Sequence, residues 1–203
     1  RRKIMSYTDY IWDLGGTLLD NYQTSATAFH DVLLESFGVN VGYHAVYDAL
    51  RVSTDFAVSQ FAAGLPDFVA MYKKREAQTL TTPVLFPDAI RVLATIVESG
   101  HRNFMISHRN DQVLEILAAA GISSYFTEVV TSSNGFARKP SPDSINYLLD
   151  TYKPAQPVMI GDRDIDILAG QHAHIDTIFF ASEDQEMIKA THHVTKLIDI
   201  LEL

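Results

Sequence analysis

The chain has 203 residues, 47% of them hydrophobic, a net charge of −9 and no cysteine. That is ample material for a core domain plus a sizeable insertion, and the missing cysteines exclude disulfides, thiolate metal sites and Cys nucleophiles. The acidic balance argues against nucleic-acid and anionic-membrane partners, because a wide negative field repels phosphate backbones, but not against a small phosphorylated substrate.

The basic start Arg1-Arg2-Lys3 is not followed by a long apolar stretch, so it does not read as a signal peptide. No run is long enough to span a membrane. The expectation is a soluble cytoplasmic protein.

Tyr10, Ile11 and Trp12 form a short buried strand that ends abruptly in Asp13 and the turn Gly15-Gly16. After Asp20 the pattern turns helical. Ala26, Phe29, Val32, Leu33 and Phe37 recur at helical spacing from a Thr24 cap to a Gly38 stop. Val46 and Leu50, then Phe56, Val58 and Phe61, mark two more short helices, and Pro66 opens a longer one through Leu80. Residues 21–84 therefore read as an all-helical insertion, with 1–20 and 85–203 forming the core. His30 and His44 fall in the insertion and read as surface or partly buried helical residues rather than ligands, since metal-binding His come clustered.

From Pro87 the pattern alternates. Ala89–Ser99 reads as a helix stopped by Gly100, and Asn103–Ile106 as a strand ending in Ser107-His108-Arg109. Asp111–Ala120 is a helix with Val113, Leu114 and Leu117 inward, and Glu128–Thr131 a strand. Ser141–Tyr152 is a helix following Lys139-Pro140, and Val158–Ile160 a strand ending in Gly161-Asp162. Ile165–His172 is a helix, Thr177–Ala181 a last full strand, and Met187–Leu203 a closing amphipathic segment. Such alternation with short links predicts an α/β fold, a doubly wound parallel sheet with helices on both faces.

In such sheets ligands sit beyond the carboxyl ends of the strands. Asp13, Ser107 and Asp162 lie at those ends, and Lys139 lies in the loop after the Glu128 strand. Singly, each has a bland reading: a turn or cap Asp, a turn Ser, a solvent Lys. Together they complement one another chemically. Asp13 can attack phosphorus or hold a cation, and Asp162 with Asp166, one helical turn on, offers oxygens to a hard metal such as Mg²⁺. Ser107 can hydrogen-bond a phosphoryl oxygen, and Lys139 can neutralise charge.

Asp13-Leu14-Gly15-Gly16-Thr17-Leu18, Ser107, Lys139-Pro140 and Gly161-Asp162-Arg163-Asp164-Ile165-Asp166 occur in an order and spacing that resemble the haloacid dehalogenase superfamily. The resemblance is to its phosphatase-like members with a helical cap, the phosphoglycolate phosphatase and β-phosphoglucomutase-like subgroup. It covers nearly the whole chain. It implies a Rossmannoid core and a Mg²⁺-dependent hydrolase with Asp13 as nucleophile through an aspartyl-phosphate. Catalytic residues would be Asp13, Ser107 and Lys139, and the phosphoryl site would take in Gly16, Thr17, Ser107, His108 and Lys139. Mg²⁺ would sit on Asp13, the Gly15 carbonyl, Asp162 and Asp166. The partner would be a small phosphorylated metabolite, and the chain a monomer or homodimer.

One position departs from that pattern. Phosphatases of the superfamily carry a second Asp two residues after the nucleophile, which protonates the leaving group and activates water; here it is Gly15. General acid–base help is typically worth about 10²- to 10⁴-fold. His108 and Asp20 are conceivable stand-ins. Other readings stay open: dehalogenase or phosphonatase chemistry, or a phosphoryl-ligand-binding protein with an impaired site. Dehalogenases differ at the Gly15 and Ser107-His108-Arg109 positions. Phosphonatases need an early cap Lys, which is absent between Asp20 and Phe68. A bacterial receiver domain fits less well, because its acidic pair comes early and here it follows the Lys.

Overall fold

A computed structural model describes residues 5–79, 82–181 and 188–203. The chain divides into two compact units, Arg1–Leu19 with Leu85–Leu203, and Asp20–Val84.

The first unit is a six-stranded sheet in the order β3-β2-β1-β4-β5-β6, with every neighbouring pair parallel. Its strands are β1 (Asp9–Trp12), β2 (Arg102–Ile106), β3 (Phe126–Val130), β4 (Pro157–Gly161), β5 (Asp176–Phe180) and β6 (His192–Val194). Its helices, which follow four that belong to the second unit, are α5 (Ala89–Glu98), α6 (Gln112–Ala119), α7 (Asp143–Tyr152) and α8 (Asp164–His172).

Buried strands need apolar side chains on both faces. Along β1 these alternate. Tyr10 and Trp12 join the cluster that holds Met105, Val158 and Ile160 and the inner faces of α5 and α6. Ile11 points the other way, into Phe104, Met159 and the inner faces of α7 and α8. The one indole in the core is satisfied: Trp12 Nε1–H donates to Asn103 Oδ1 at 2.9 Å, and Asn103 Nδ2 donates to the Leu93 carbonyl. β1 pairs with β2 on one side and β4 on the other, with Trp12 level with Met105 and Ile160. The chain winds outward from β1 to β3, then returns to β4, so the order reverses beside β1. The crevice at such a switch point is where an open α/β sheet exposes backbone and side chains to a ligand.

The second unit holds α1 (Asn21–Phe37), α2 (Tyr43–Val52), α3 (Thr54–Phe61) and α4 (Phe68–Thr79). Its core centres on Phe29, whose ring meets Phe68 and Tyr72 at centroid distances of 4.6 and 5.2 Å. The half-buried Glu76 accepts from Ser25, Tyr72 and Lys73. Gly38 ends α1 in the left-handed region, φ 66°, as its stop signal requires.

Several expectations need correction. The first helix starts at Asn21, ahead of the anticipated Thr24 cap, and Asp20 precedes it. Leu114 is 48% exposed, and Ile116 takes the inward place beside Val113 and Leu117. The closing segment contains the edge strand β6 and a 3₁₀ turn over Leu197–Glu202. Leu80 and Met187, expected as segment ends, lie outside the described residues. No helix among the described residues is long and apolar enough to cross a membrane.

Candidate active site

Each side chain of the site is delivered by the end of a strand or by a loop tied to one. Asp13 follows β1 directly, and its N–H donates to the Ile160 carbonyl at 2.9 Å, carrying the ladder one residue beyond the strand. Ser107 follows β2, with its N–H on the Val130 carbonyl at 2.9 Å. Asp162 follows β4. Lys139 comes from the loop between β3 and α7.

The Lys139 ammonium lies 2.5 Å from Asp13 Oδ1 and 2.6 Å from Asp166 Oδ1, with a side chain only 3% exposed. Burial acts to lower the Lys139 pKa, but the two carboxylates outweigh it and hold the group firmly charged. Oxygens of Asp13, Asp162 and Asp166 all lie within 4.8 Å of one another. Burial first, and the neighbouring Asp13 second, push the Asp162 and Asp166 carboxyls above the usual carboxylate range. Three carboxyl groups thus face a single ammonium, an excess of acidic oxygens over cations. An oxygen-only donor set with that excess suits a hard divalent cation.

Two glycines make the crowding possible. A Cβ on Gly16, at φ +89°, would overlap the Asp162 carboxylate, and one on Gly161 would overlap that of Asp166. Thr17, fully buried, donates its hydroxyl to Asp162 Oδ1 at 3.0 Å. Its side chain therefore steadies the carboxylate. Asp162 and Asp166 do not share one helix face, as their spacing had suggested. Asp162 sits in the loop before α8, and Asp166 folds back from the first turn to accept from the Arg163 N–H at 3.1 Å. They converge because that turn closes on itself.

Ser107 Oγ accepts from the Arg109 N–H at 3.1 Å, which leaves its own proton to donate elsewhere. His108 Nε2 accepts from the Lys139 N–H at 2.9 Å. Burial, then the charges of Lys139 and Arg138, bring its pKa down to about 4. The residue after Lys139 is held as well: His172 Nδ1 donates to the Pro140 carbonyl at 2.9 Å. Neither histidine contact was visible in the sequence, since nothing in spacing brings residue 108 to 139 or 172 to 140. Asp20, in the helical unit, accepts from Gln23 and from Tyr47. In the same unit Arg75 pairs with Glu35 at 2.7 Å.

Residues 10–180 match the model of the haloacid dehalogenase-like hydrolase family. The chain belongs to that family. A crystal structure of a hydrolase from Streptococcus pneumoniae TIGR4 is 53% identical, covers 85% of this chain and 92% of its own, and superposes with a TM-score of 0.80. A phosphoglycolate phosphatase of Vibrio parahaemolyticus is 26% identical over 80% of this chain and 78% of its own length. A pyrophosphatase of Oceanobacillus iheyensis is 24% identical over 93% of this chain and 91% of its own. Within the family, the similarity is thus to phosphatases.

Proposed function

We propose that this chain is a Mg²⁺-dependent phosphatase of a small phosphorylated metabolite, acting through an aspartyl-phosphate on Asp13. The observation that carries the reading is the Asp13 carboxylate, placed at the carboxyl end of the central strand and held by Lys139 beside two further carboxylates. Asp162, Asp166, one Asp13 oxygen and the Gly15 carbonyl would hold the ion. It would supply positive charge opposite the phosphoryl oxygens and a template for their orientation.

The residues divide the work. Asp13 attacks phosphorus, the bond to the leaving oxygen breaks, and its electron pair departs with that oxygen. Water then attacks phosphorus, the bond between phosphorus and the Asp13 oxygen breaks, the Asp13 carboxylate is regenerated, and inorganic phosphate leaves with the protons of that water. Lys139 fixes the direction of the attacking oxygen and offsets charge on the transferring group. The Ser107 hydroxyl faces the phosphoryl group, and the turn at Gly16-Thr17, whose N–H groups are taken by Leu19 and Leu14, acts instead by placing Asp162. To the helical unit Asp20–Val84 we assign the choice of substrate, as a cap.

Gly15 puts no acid beside the leaving oxygen. Leaving groups that are stable without a proton are therefore favoured: an anhydride or a phenolate over an alkoxide. Among the relatives, one is named for an anhydride and one for an alkyl monoester. The test is phosphate release from phosphoglycolate, sugar phosphates, pyrophosphate and p-nitrophenyl phosphate, with Mg²⁺ and with EDTA. Metal-dependent release, greater for p-nitrophenyl phosphate and pyrophosphate than for alkyl esters, is expected. Silence across the panel, from folded protein that binds Mg²⁺, contradicts the reading and favours a binding role.

A further inference from the structure

We propose that His108 is a positioning residue: a neutral imidazole, protonated on Nδ1, whose Nε2 holds the Lys139 main chain and so sets where the Lys139 ammonium meets Asp13.

The tautomer follows from donor bookkeeping. A backbone N–H only donates, so the nitrogen that receives it carries no proton. Lys139 N–H points at Nε2 at 2.9 Å, and the ring's proton is then on Nδ1. The groups around the ring agree. Burial disfavours the imidazolium, Lys139, Arg138 and Arg163 repel it, and Asp13 alone among these favours it.

The ring is a fixed strut because its own backbone is tied on both sides. Ser107 N–H bonds the Val130 carbonyl, the Arg109 carbonyl accepts from Ser132, and Arg109 N–H bonds Ser107 Oγ. On the far side of the contact the loop is tied by Ser141 N–H to the Arg138 carbonyl, and by His172 to the Pro140 carbonyl. Lysine is a point charge on a flexible four-carbon stem. Its aim at Asp13 and Asp166 depends on where the main chain is held, and His108 is the side chain that holds it from the β2 side. The same bond keeps Nε2 from delivering a proton to a leaving group, so His108 does not replace the acid missing at Gly15.

The kinetic arm of the test rests on the phosphatase reading; the spectroscopic arm does not. Histidine ring-nitrogen NMR on the full chain near neutral pH, with the His108 signal identified by its loss in His108→Gln, reads the tautomer directly. The expected spectrum has a protonated Nδ1 and a bare, hydrogen-bonded Nε2. A proton on Nε2, or a charged ring, overturns the proposal. In p-nitrophenyl phosphate turnover, His108→Gln keeps an acceptor near the Nε2 position and is expected within about tenfold of the unsubstituted rate. His108→Leu is expected to lose about 10²-fold in kcat, the scale of a misplacement near 1 Å, with a native circular dichroism spectrum. Equal losses in the two variants overturn the positioning role. If no form of the chain releases phosphate, the phosphatase reading fails and the tautomer still decides this one.

Discussion

Lys139 Nζ lies 2.5 Å from Asp13 Oδ1, across 126 residues of sequence, and both groups are largely shielded from water. Its second partner, Asp166, is 1% exposed. Removing the cation leaves two carboxylates in low-dielectric surroundings with no compensating charge. Breaking a buried pair from one side typically costs about 3–5 kcal/mol. Lys139→Met is therefore expected to lower unfolding stability by that order in metal-free urea titrations. The double variant Lys139→Met/Asp166→Asn should recover part of it. A single variant as stable as the parent contradicts the charge balance described for the site.

The Gly16 turn requires glycine for two reasons, its φ of +89° and the Asp162 carboxylate against it. Gly121 shares only the first, with φ +72° and open space around it. Gly121→Ala should cost roughly 1–2 kcal/mol of backbone strain and leave turnover intact. Gly16→Ala should also displace Asp162 and lose about 10²-fold in activity, with weaker Mg²⁺ binding by calorimetry. Equal activity in the two variants speaks against the close approach.

In the metal-free fold the Asp162 carboxyl is pushed up to about 8 by burial and by Asp13. Its folded pKa exceeds the unfolded value of ~3.9, so the folded state binds the extra proton. That contribution is present at low pH and is lost as pH rises through the folded pKa. His108 works the other way: its folded pKa near 4 lies below the unfolded ~6.5. Its contribution is full above ~6.5 and is lost as pH falls toward 4. Above ~6.5 only the carboxylate slope remains. The melting temperature of the metal-free chain should fall between pH ~6.5 and ~8, and saturating Mg²⁺ should flatten that fall. A metal-free chain that gains stability across this window contradicts the clustering.

Gly15 yields a gain-of-function expectation. Gly15→Asp supplies a carboxyl two residues after Asp13, where acid–base help is worth about 10²- to 10⁴-fold. Turnover of alkyl phosphates should rise toward the lower end of that range, with little change for p-nitrophenyl phosphate. No rise, in a folded variant that binds Mg²⁺, indicates that another group already serves as the acid.

Much of the core was legible because strand ends carry conspicuous residues. Asp13, Ser107 and Asp162 stand immediately after apolar runs, and the parallel sheet then brings those ends to one edge. β6 was not legible: His192-His193-Val194 has one buried side chain and is too short to show a period of two. The outward turn of Leu114 depends on which face α6 packs, and an apolar residue at helical spacing looks alike on either side of that boundary. The meeting of Asp162 with Asp166 was expected for the wrong reason, a shared helix face, when a backbone turn closed by the Arg163 N–H produces it. His108 was singled out for its ring, but its contact with Lys139 is made through the main chain, which no side-chain pattern encodes.

If Asp13 attacks phosphorus as proposed, turnover must depend on its carboxylate. p-Nitrophenolate release is to be compared between the native chain and Asp13→Asn, each with Mg²⁺ and with EDTA. Nitrophenolate leaves without a proton, so Gly15 does not handicap the assay. Metal-dependent release by the native chain, and none above background by a folded Asp13→Asn, is expected. Release that survives the substitution unchanged contradicts that role of Asp13.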